Sequence, residues 1–196
     1  MATLLESLSR AEIARQPLNS QQCALLVIDI QEKLLPPIHE NQRLVRNSQL
    51  LIRLANILKL PVIATTQYMK GLGPIVPEIA SLLPAVQPLD KLEFGCFGNS
   101  EFCSNIAALR GRNTLLLCGM ETHICVLQTA LGALHQSHIV HVAADAVGSR
   151  TELSWKLGLE RMRDAGVVIS STEMMIYELL GRSGSVEFKE MLKWLK

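Results

Sequence analysis

The sequence has little of what marks nucleic-acid-binding and membrane proteins. Its formal net charge is only +1 at pH 7, so charge gives no reason to expect binding to nucleic acid or to an anionic membrane. Aromatic residues make up 4% of the chain, too few for the stacking platforms that bind single-stranded nucleic acid. No apolar run approaches the roughly 20 residues that a membrane span needs. We therefore expect no nucleic-acid partner and no membrane partner.

Paired cysteines and the common cofactor motifs are also missing. The five cysteines are odd in number and include no C-x-x-C pair, which is typical of reduced thiols rather than of a disulfide framework. The first twenty residues mix glutamates with arginines and resemble neither a secretory signal nor an acid-poor transit peptide. We therefore expect a cytoplasmic protein. No H-E-x-x-H, G-x-G-x-x-G or phosphate-loop motif occurs, so we expect no metal and no cofactor.

What the chain does contain is a series of short apolar runs separated by segments with helical spacing. The runs are residues 24–30, 61–65, 114–118, 139–143 and 167–169. They lack the alternation of half-exposed strands, which favours strands buried on both faces of a parallel sheet. Alternating strands and helices predict an α/β doubly wound layer fold.

The same pattern predicts one domain over residues 1–196, with a core at about 22–181. Thr151 or Ser149 can open a helix near residue 150, and Gly166 can close it. Residues 71–88, rich in proline, are expected to form a long loop with one short helix. The tail at 186–196 has helical apolar spacing and is expected to pack either on its own domain or on another subunit.

Cys125 is the most informative single residue. It follows the apolar run at 114–118 and lies at or just inside the start of a predicted helix that runs to about residue 136. A thiol there faces the positive end of the helix dipole and unpaired backbone N–H groups, which favour the thiolate. The sequence therefore predicts a cysteine-dependent enzyme.

Asp29 and Lys91 can reach the same edge of the predicted sheet. Asp29 interrupts an apolar strand, where a carboxylate is costly unless it has a partner, so it either caps a loop or acts as a base. Lys91 would by itself be read as a surface lysine. Near Cys125, its charge would hold Asp29 and favour the thiolate.

Other polar side chains have simpler interpretations. His123 is two residues from Cys125 and would point away from it on a helix, which disfavours a Cys–His dyad. Asp145, placed just after the fifth strand, is more simply a loop tie than a second catalytic acid. The remaining cysteines are interpreted as ordinary core or surface residues: Cys23, Cys96, Cys103 and Cys118.

Three segments together resemble the isochorismatase-like cysteine hydrolase superfamily. They read LVIDIQ at residues 26–31, KLEF at 91–94 and GMETHICV at 119–126, in the order and spacing of that family. The resemblance covers roughly residues 22–181 and implies a three-layer α/β/α sandwich with a mostly parallel six-stranded sheet. It is closest to the isochorismatase-domain-containing proteins of unassigned substrate, on the stretches TQYMKGLG at 66–73, DAVGSR at 145–150 and EFKE at 187–190.

The resemblance implies a catalytic triad of Asp29, Lys91 and Cys125. Asp29 would take the thiol proton, Lys91 would pair with the carboxylate, and Cys125 would attack a carbonyl carbon to form a thioester. Backbone N–H groups of Glu121 and Cys125 would form the oxyanion hole, and the peptide bond between Met120 and Glu121 would be cis. The implied activity is hydrolysis of a small-molecule amide or related acyl substrate, in a homo-oligomer.

Departures from the family pattern refine this expectation. The metal-binding Asp-x-His of nicotinamidases is absent from residues 67–70, so no zinc is implied. Isochorismatases proper replace the nucleophilic cysteine, so its presence favours amide-like chemistry over vinyl-ether hydrolysis. The latter stays an alternative, as does a catalytically idle binding or scaffold module. Gln31, Gln67 and Phe94 are candidate pocket residues, and each glutamine is as easily structural.

Overall fold

The computed structural model describes residue 12 and residues 15–195. Within these ranges, one six-stranded sheet has all its strands parallel, in the order β3-β2-β1-β4-β5-β6. The strands are β1 (Cys23–Ile28), β2 (Val62–Gln67), β3 (Leu89–Lys91), β4 (Thr114–Met120), β5 (Ile139–Gly148) and β6 (Val168–Ser170). The α/β prediction is confirmed, and the sheet is fully rather than mostly parallel.

Helices connect the strands and cover both faces of the sheet. They are α1 (Asn41–Leu58), α2 (Met69–Leu72), α3 (Pro77–Ala80), α4 (Ser100–Ala108), α5 (Leu127–His135), α6 (Glu152–Ala165), α7 (Thr172–Leu180) and α8 (Val186–Leu192). A short 3₁₀-helix, Cys96–Gly98, precedes α4, and a π-helical turn, Thr122–Val126, leads into α5.

The sheet separates two apolar cores, as the continuous apolar runs predict. Side chains of β1 alternate between them: Leu25 and Val27 pack under α1 and α7, whereas Leu26 and Ile28 pack under α4, α5 and α6. Every residue of β1 and β4 is buried. Burial on both faces removes the apolar–polar alternation of a half-exposed strand, which confirms the three-layer sandwich.

Three boundaries differ from the sequence-based expectation. Residues 89–91 form the edge strand β3, which is not among the apolar runs, because two of its three residues are charged and have low strand propensity. β5 continues to Gly148, so Asp145 lies inside this strand and not after it. The loop after β2 carries two short helices, α2 and α3, instead of one.

The expected boundaries of α6 are confirmed. Thr151 is the N-cap, and its hydroxyl accepts a hydrogen bond of 3.1 Å from the backbone N–H of Ser154. Gly166 ends the helix with a φ of 110°, a conformation that glycine adopts without steric cost.

The tail helix α8 packs on its own chain. Met191 is fully buried in the core beneath α1, and Phe188 is partly buried against the same core. The guanidinium of Arg53, on α1, lies 3.5 Å from the ring centroid of Trp194. Of the two placements that the sequence left open, the structure shows packing within the chain.

No helix in the described ranges combines the length and the apolar character that crossing a lipid bilayer would require.

Candidate active site

Three strands deliver the predicted catalytic side chains to one edge of the sheet. Asp29 follows β1 directly, Lys91 is the last residue of β3, and Cys125 lies in the π-helical turn after β4. β1 and β4 are neighbours, and β2 alone separates β1 from β3. Because all these strands are parallel, their carboxyl ends meet at the edge where open α/β sheets bind ligands.

Asp29 and Lys91 form a buried ion pair. Nζ of Lys91 lies 2.7 Å from Oδ2 of Asp29, and neither side chain is exposed to solvent. The ammonium also donates to Oε1 of Gln67 at 2.9 Å and to the backbone carbonyls of Glu93 and Phe94 at 3.2 and 3.4 Å. Burial would by itself lower the pKa of Lys91, but the charges of Asp29, Cys125 and Cys96 raise it above its ordinary value. Lys91 therefore remains a cation inside the site.

The backbone at Asp29 turns its carboxylate toward the face that carries Cys125. Strict strand alternation would place Asp29 opposite Ile28, yet its side chain bonds to Lys91 and to Thr65 on the same face as Ile28. A left-handed φ of 53° breaks the alternation. Asp tolerates this region better than most residues do, because its short polar side chain can bond locally.

Cys125 is a buried thiol beside a carboxylate. Burial, the charge of Asp29 and a hydrogen bond to its carboxylate together raise the pKa of Cys125 to about 12, while the charge of Lys91 opposes them. The expectation of a favoured thiolate is wrong for this resting state, because burial and the carboxylate outweigh the helix terminus. The thiol can become a nucleophile only by passing its proton to a base, and Asp29 is within hydrogen-bonding reach.

The turn that holds Cys125 begins at Glu121. The carbonyl of Glu121 accepts hydrogen bonds from the N–H groups of Ile124 at 3.0 Å and Val126 at 3.2 Å, which close the π-helical turn. The peptide bond between Met120 and Glu121 is cis. The carboxylate of Glu121 pairs with exposed Arg150 at 3.0 Å.

Cys96 lies beside the triad, whereas its sequence context indicated an ordinary core or surface cysteine. Burial raises the pKa of its thiol to about 11, and Lys91 and Asp29 both act on it electrostatically. Its backbone N–H donates to Oγ1 of Thr129 at 3.0 Å. Its position five residues after Lys91 was the available sequence signal, and it was too weak to separate this thiol from an ordinary core cysteine.

The two candidate pocket glutamines bond to protein groups. Gln31 is fully buried; its Nε2 donates to the carbonyls of Gln67 and Gly73 at 3.1 and 2.7 Å, and its Oε1 accepts from the Gln67 N–H at 2.6 Å. Gln67 accepts from Lys91 and donates from Nε2 to the Leu92 carbonyl at 2.9 Å. These bonds favour structural roles. Phe94, by contrast, is 56% exposed directly after Lys91 and Glu93, where it can contact a ligand.

The side chains of His123 and Asp145 bond to residues outside the Asp29–Lys91–Cys125 triad. The ring nitrogen Nδ1 of His123 lies 2.9 Å from Oγ of Ser149, so its partner is a hydroxyl and not Cys125. Oδ1 of Asp145 accepts from the N–H of Thr172 at 2.8 Å and from its hydroxyl at 2.9 Å, which ties β5 to the start of α7. Both arrangements agree with the simpler interpretations of these residues.

In the described part of the chain, no group of three or more His, Cys, Asp or Glu residues is arranged to hold a metal ion.

A family model described as the isochorismatase domain matches residues 23–174. The chain belongs to the isochorismatase family. The secreted isochorismatase effector Isc1 of Phytophthora sojae is 36% identical over 175 residues, which are 88% of this chain and 83% of that protein. Isochorismatase domain-containing protein 2A of Mus musculus is 34% identical over 195 residues, or 96% and 88% of the two chains.

Solved structures of similar proteins share the isochorismatase fold. A protein described as the MAR1 ribonuclease of Caenorhabditis elegans matches with a TM-score of 0.85 and 34% identity over 92% of each chain. YcaC of Pseudomonas aeruginosa, solved with hexane-2,5-diol and covalent acrylamide, matches with a TM-score of 0.86 and 25% identity over 92% of each chain. YcaC of Escherichia coli, an octameric hydrolase of unknown specificity, gives a TM-score of 0.82 and 27% identity over 91% and 87%.

Proposed function

We propose that this isochorismatase-family protein is a metal-independent cysteine hydrolase that acts on a small amide or a related acyl compound. The observation that carries the proposal is the buried ion pair of Asp29 and Lys91 within hydrogen-bonding reach of the Cys125 thiol. A buried base, a fixed cation and a nucleophile at one sheet edge are the parts that covalent acyl transfer needs.

The first half-reaction forms a thioester. Asp29 accepts the proton of Cys125 as the sulfur attacks the carbonyl carbon, and the carbonyl oxygen gains the electron pair. Backbone N–H groups of Glu121 and Cys125 would bind this oxyanion; the loss of one such donor typically costs about 3–4 kcal/mol. Protonated Asp29 then gives its proton to the leaving nitrogen as the C–N bond breaks, and the amine departs.

The second half-reaction releases the acid. Asp29, again a carboxylate, takes a proton from water while the water oxygen attacks the thioester carbon. The C–S bond breaks, and the proton returns from Asp29 to sulfur. Lys91 stays protonated throughout, because the pKa of its ammonium is raised, and its charge limits the cost of forming a thiolate in a buried site.

Two similar proteins support hydrolase chemistry. The family includes the Escherichia coli YcaC protein described as a hydrolase, and the Pseudomonas aeruginosa YcaC structure carries acrylamide covalently. Acrylamide is an electrophile, and its covalent attachment to that protein supports a reactive nucleophile on the shared fold. We carry this reactivity over to Cys125 as part of the proposal.

The surface beside Lys91 favours a substrate with an apolar part. Leu92 and Phe94 are both exposed immediately after this lysine, and Tyr68 is exposed at the end of β2. These side chains would contact the acyl group or leaving group of a small molecule, with Phe94 as the pocket residue proposed from the sequence.

A second candidate function is an idle binding or scaffold module on the same fold. The raised pKa of Cys125, about 12, favours this candidate, because a thiol that never loses its proton is inert. The two candidates differ in whether Asp29 removes the proton when a substrate carbonyl is present.

We also propose a cytoplasmic homo-oligomer. The five cysteines, all free, fit a reducing compartment, although Isc1 is described as a secreted effector. The octameric state of Escherichia coli YcaC supports self-association on this fold. A small molecule remains the proposed partner.

Replacing the nucleophile tests the proposed function. A panel of small amides is incubated with the wild-type protein, Cys125→Ala and Cys103→Ala, with product formation and acyl adducts followed by mass spectrometry. We expect Cys125→Ala to lower turnover by at least about a thousandfold, because no other group can form the thioester. Cys103 bonds its thiol to the Phe97 carbonyl at 3.3 Å, away from the triad, and its variant should match the wild type. Turnover that survives in Cys125→Ala would exclude the covalent mechanism.

A further inference from the structure

Strand β2 lies directly beneath the Asp29–Lys91 ion pair. The sheet order places β2 between β1, which Asp29 follows, and β3, which Lys91 ends. The bridge between the two side chains therefore spans β2. Thr65 and Gln67, two residues apart on this strand, point to the same face, and each bonds to one member of the ion pair.

Thr65 fixes the oxygen of Asp29 that Lys91 does not bind. Its hydroxyl donates to Oδ1 of Asp29 at 2.7 Å, while Nζ of Lys91 holds Oδ2 at 2.7 Å. Thr65 is 1% exposed, so water does not compete for this bond. Thr65 and Lys91 thus donate to different oxygens of the carboxylate, and these two donors lie on different strands.

One donor would leave the carboxylate free to turn. The terminal torsion of an Asp side chain is broad, and the ammonium of Lys91 sits at the end of a flexible stem. Thr65, in contrast, has a stiff β-branched side chain on a hydrogen-bonded strand, and the N–H of Asp29 donates to the Thr65 carbonyl at 3.2 Å. Backbone and side chain of Thr65 therefore hold Asp29 at two points.

We propose that Thr65 is a positioning residue that orients the Asp29 carboxylate to receive the Cys125 proton. The inference rests on the proposed function, because it gives Asp29 the task of a base. Thr65 touches no substrate atom and acts through Asp29. Its hydroxyl donates to the carboxylate, so its removal should leave Oδ1 of Asp29 without this donor. The titratable groups that face Asp29 are Lys91, Cys125 and Cys96.

The neighbouring residue supplies a matched control. Thr66 is the same residue type, is also 1% exposed, and donates from its hydroxyl to a carboxylate, Oδ1 of Asp90, at 3.0 Å. It lies on the opposite face of β2, so it does not contact the triad. Thr65→Val and Thr66→Val each replace one buried hydroxyl by a methyl group, so the two substitutions make the same chemical change. Thr65→Ser restores the hydroxyl and tests rescue.

The experiment is alkylation of Cys125 by iodoacetamide between pH 5 and 9, with each modified cysteine identified by mass spectrometry. We expect Thr65→Val to slow Cys125 alkylation about tenfold at pH 7, the effect of losing one hydrogen bond to a charged group. Thr65→Ser should recover most of the rate, and Thr66→Val should match the wild type. A Thr65→Val profile equal to that of Thr66→Val would overturn the proposal.

A structural measurement separates this inference from the proposed function. If alkylation of wild-type Cys125 does not depend on Asp29, shown by an unchanged rate in Asp29→Asn, the proposed base fails. Crystal structures of Thr65→Val and Thr66→Val then still decide the position of the carboxylate. In Thr65→Val alone, we expect the Asp29 carboxylate to rotate so that its Oδ2 no longer contacts Nζ of Lys91. An unrotated carboxylate in both variants would refute the positioning role.

Discussion

Asp29 and Lys91 form a buried ion pair in which the stability of each charge depends on the other. Two opposite charges taken out of water lose hydration energy, which their attraction and hydrogen bonds must offset. Here Lys91 has four oxygen acceptors within 3.4 Å and Asp29 has donors on both oxygens. The pair is satisfied as a unit, so removal of one member leaves an uncompensated charge.

Lys91→Met should destabilise the fold by about 3–5 kcal/mol, because it leaves the buried Asp29 carboxylate without its cation. The double variant with Asp29→Asn should lose less than the sum of the two single variants, since both charges are then gone. Urea unfolding followed by circular dichroism measures each free energy. Arg150→Met is the control: it breaks the exposed pair with Glu121 and should cost less than about 1 kcal/mol. Additive single and double variants would contradict the coupling.

At the scale of the element, the end of β4 decides where the nucleophile lies. The pairing of β4 with β5 shifts register between Leu117 and Gly119, and Gly119 has a φ of 120°. A Cβ at this position would lie 2.0 Å from the carbonyl oxygen of Ile28 on β1. The backbone of β4 therefore passes β1 more closely than a side chain allows, and the chain then enters the π-helical turn that carries Cys125.

Gly119→Ala should destabilise the protein by more than about 3 kcal/mol, because steric contact with the β1 backbone is added to an unfavourable φ. Gly111→Ala is the matched control: its φ is 78° and nothing lies within 4 Å of the added Cβ. It should cost about 1–2 kcal/mol, from backbone strain alone. Denaturant unfolding of both variants gives the comparison. Equal losses of stability in the two variants would show that the backbone of β4 at Gly119 leaves room for a side chain next to β1.

At the scale of the whole molecule, burial of a titratable side chain links global stability to pH. His141, on β5, is buried, and burial lowers the pKa of its imidazole from about 6.5 to about 4. The folded protein therefore resists protonation of this ring, whereas the unfolded chain takes up the proton near pH 6.5. Its contribution to stability is complete above pH 6.5 and is lost as the pH falls toward 4.

The wild-type protein should lose up to about 3 kcal/mol more stability than His141→Leu between pH 7 and pH 4. The free energy of unfolding, measured in urea at several pH values, tests this difference in slope. His39 is exposed, so its ring stays in water in both states, and His39→Gln should keep the wild-type slope. A His141→Leu slope equal to the wild-type slope would exclude a buried neutral imidazole.

Much of the fold follows from local patterns, and some of it does not. Apolar runs located β1, β2, β4, β5 and β6, and cap residues located the ends of α6. Local patterns did not predict the strand β3, because Asp90 and Lys91 have low strand propensity. This strand forms through pairing with β2 alone. The raised pKa of the buried Cys125 thiol was not predicted either, because burial depends on neighbours from other strands and helices.

The sequence by itself determined the layered α/β fold and the identity of the candidate triad, because buried strands and the LVIDIQ, KLEF and GMETHICV segments are local features of the chain. Only the tertiary structure decided that Thr65 bonds to Asp29, that Cys96 lies beside the site and that burial raises the pKa of the Cys125 thiol. These facts depend on which strands are neighbours and on how far each group is removed from water. Distances and burial between segments far apart in the chain arise only when the sheet assembles.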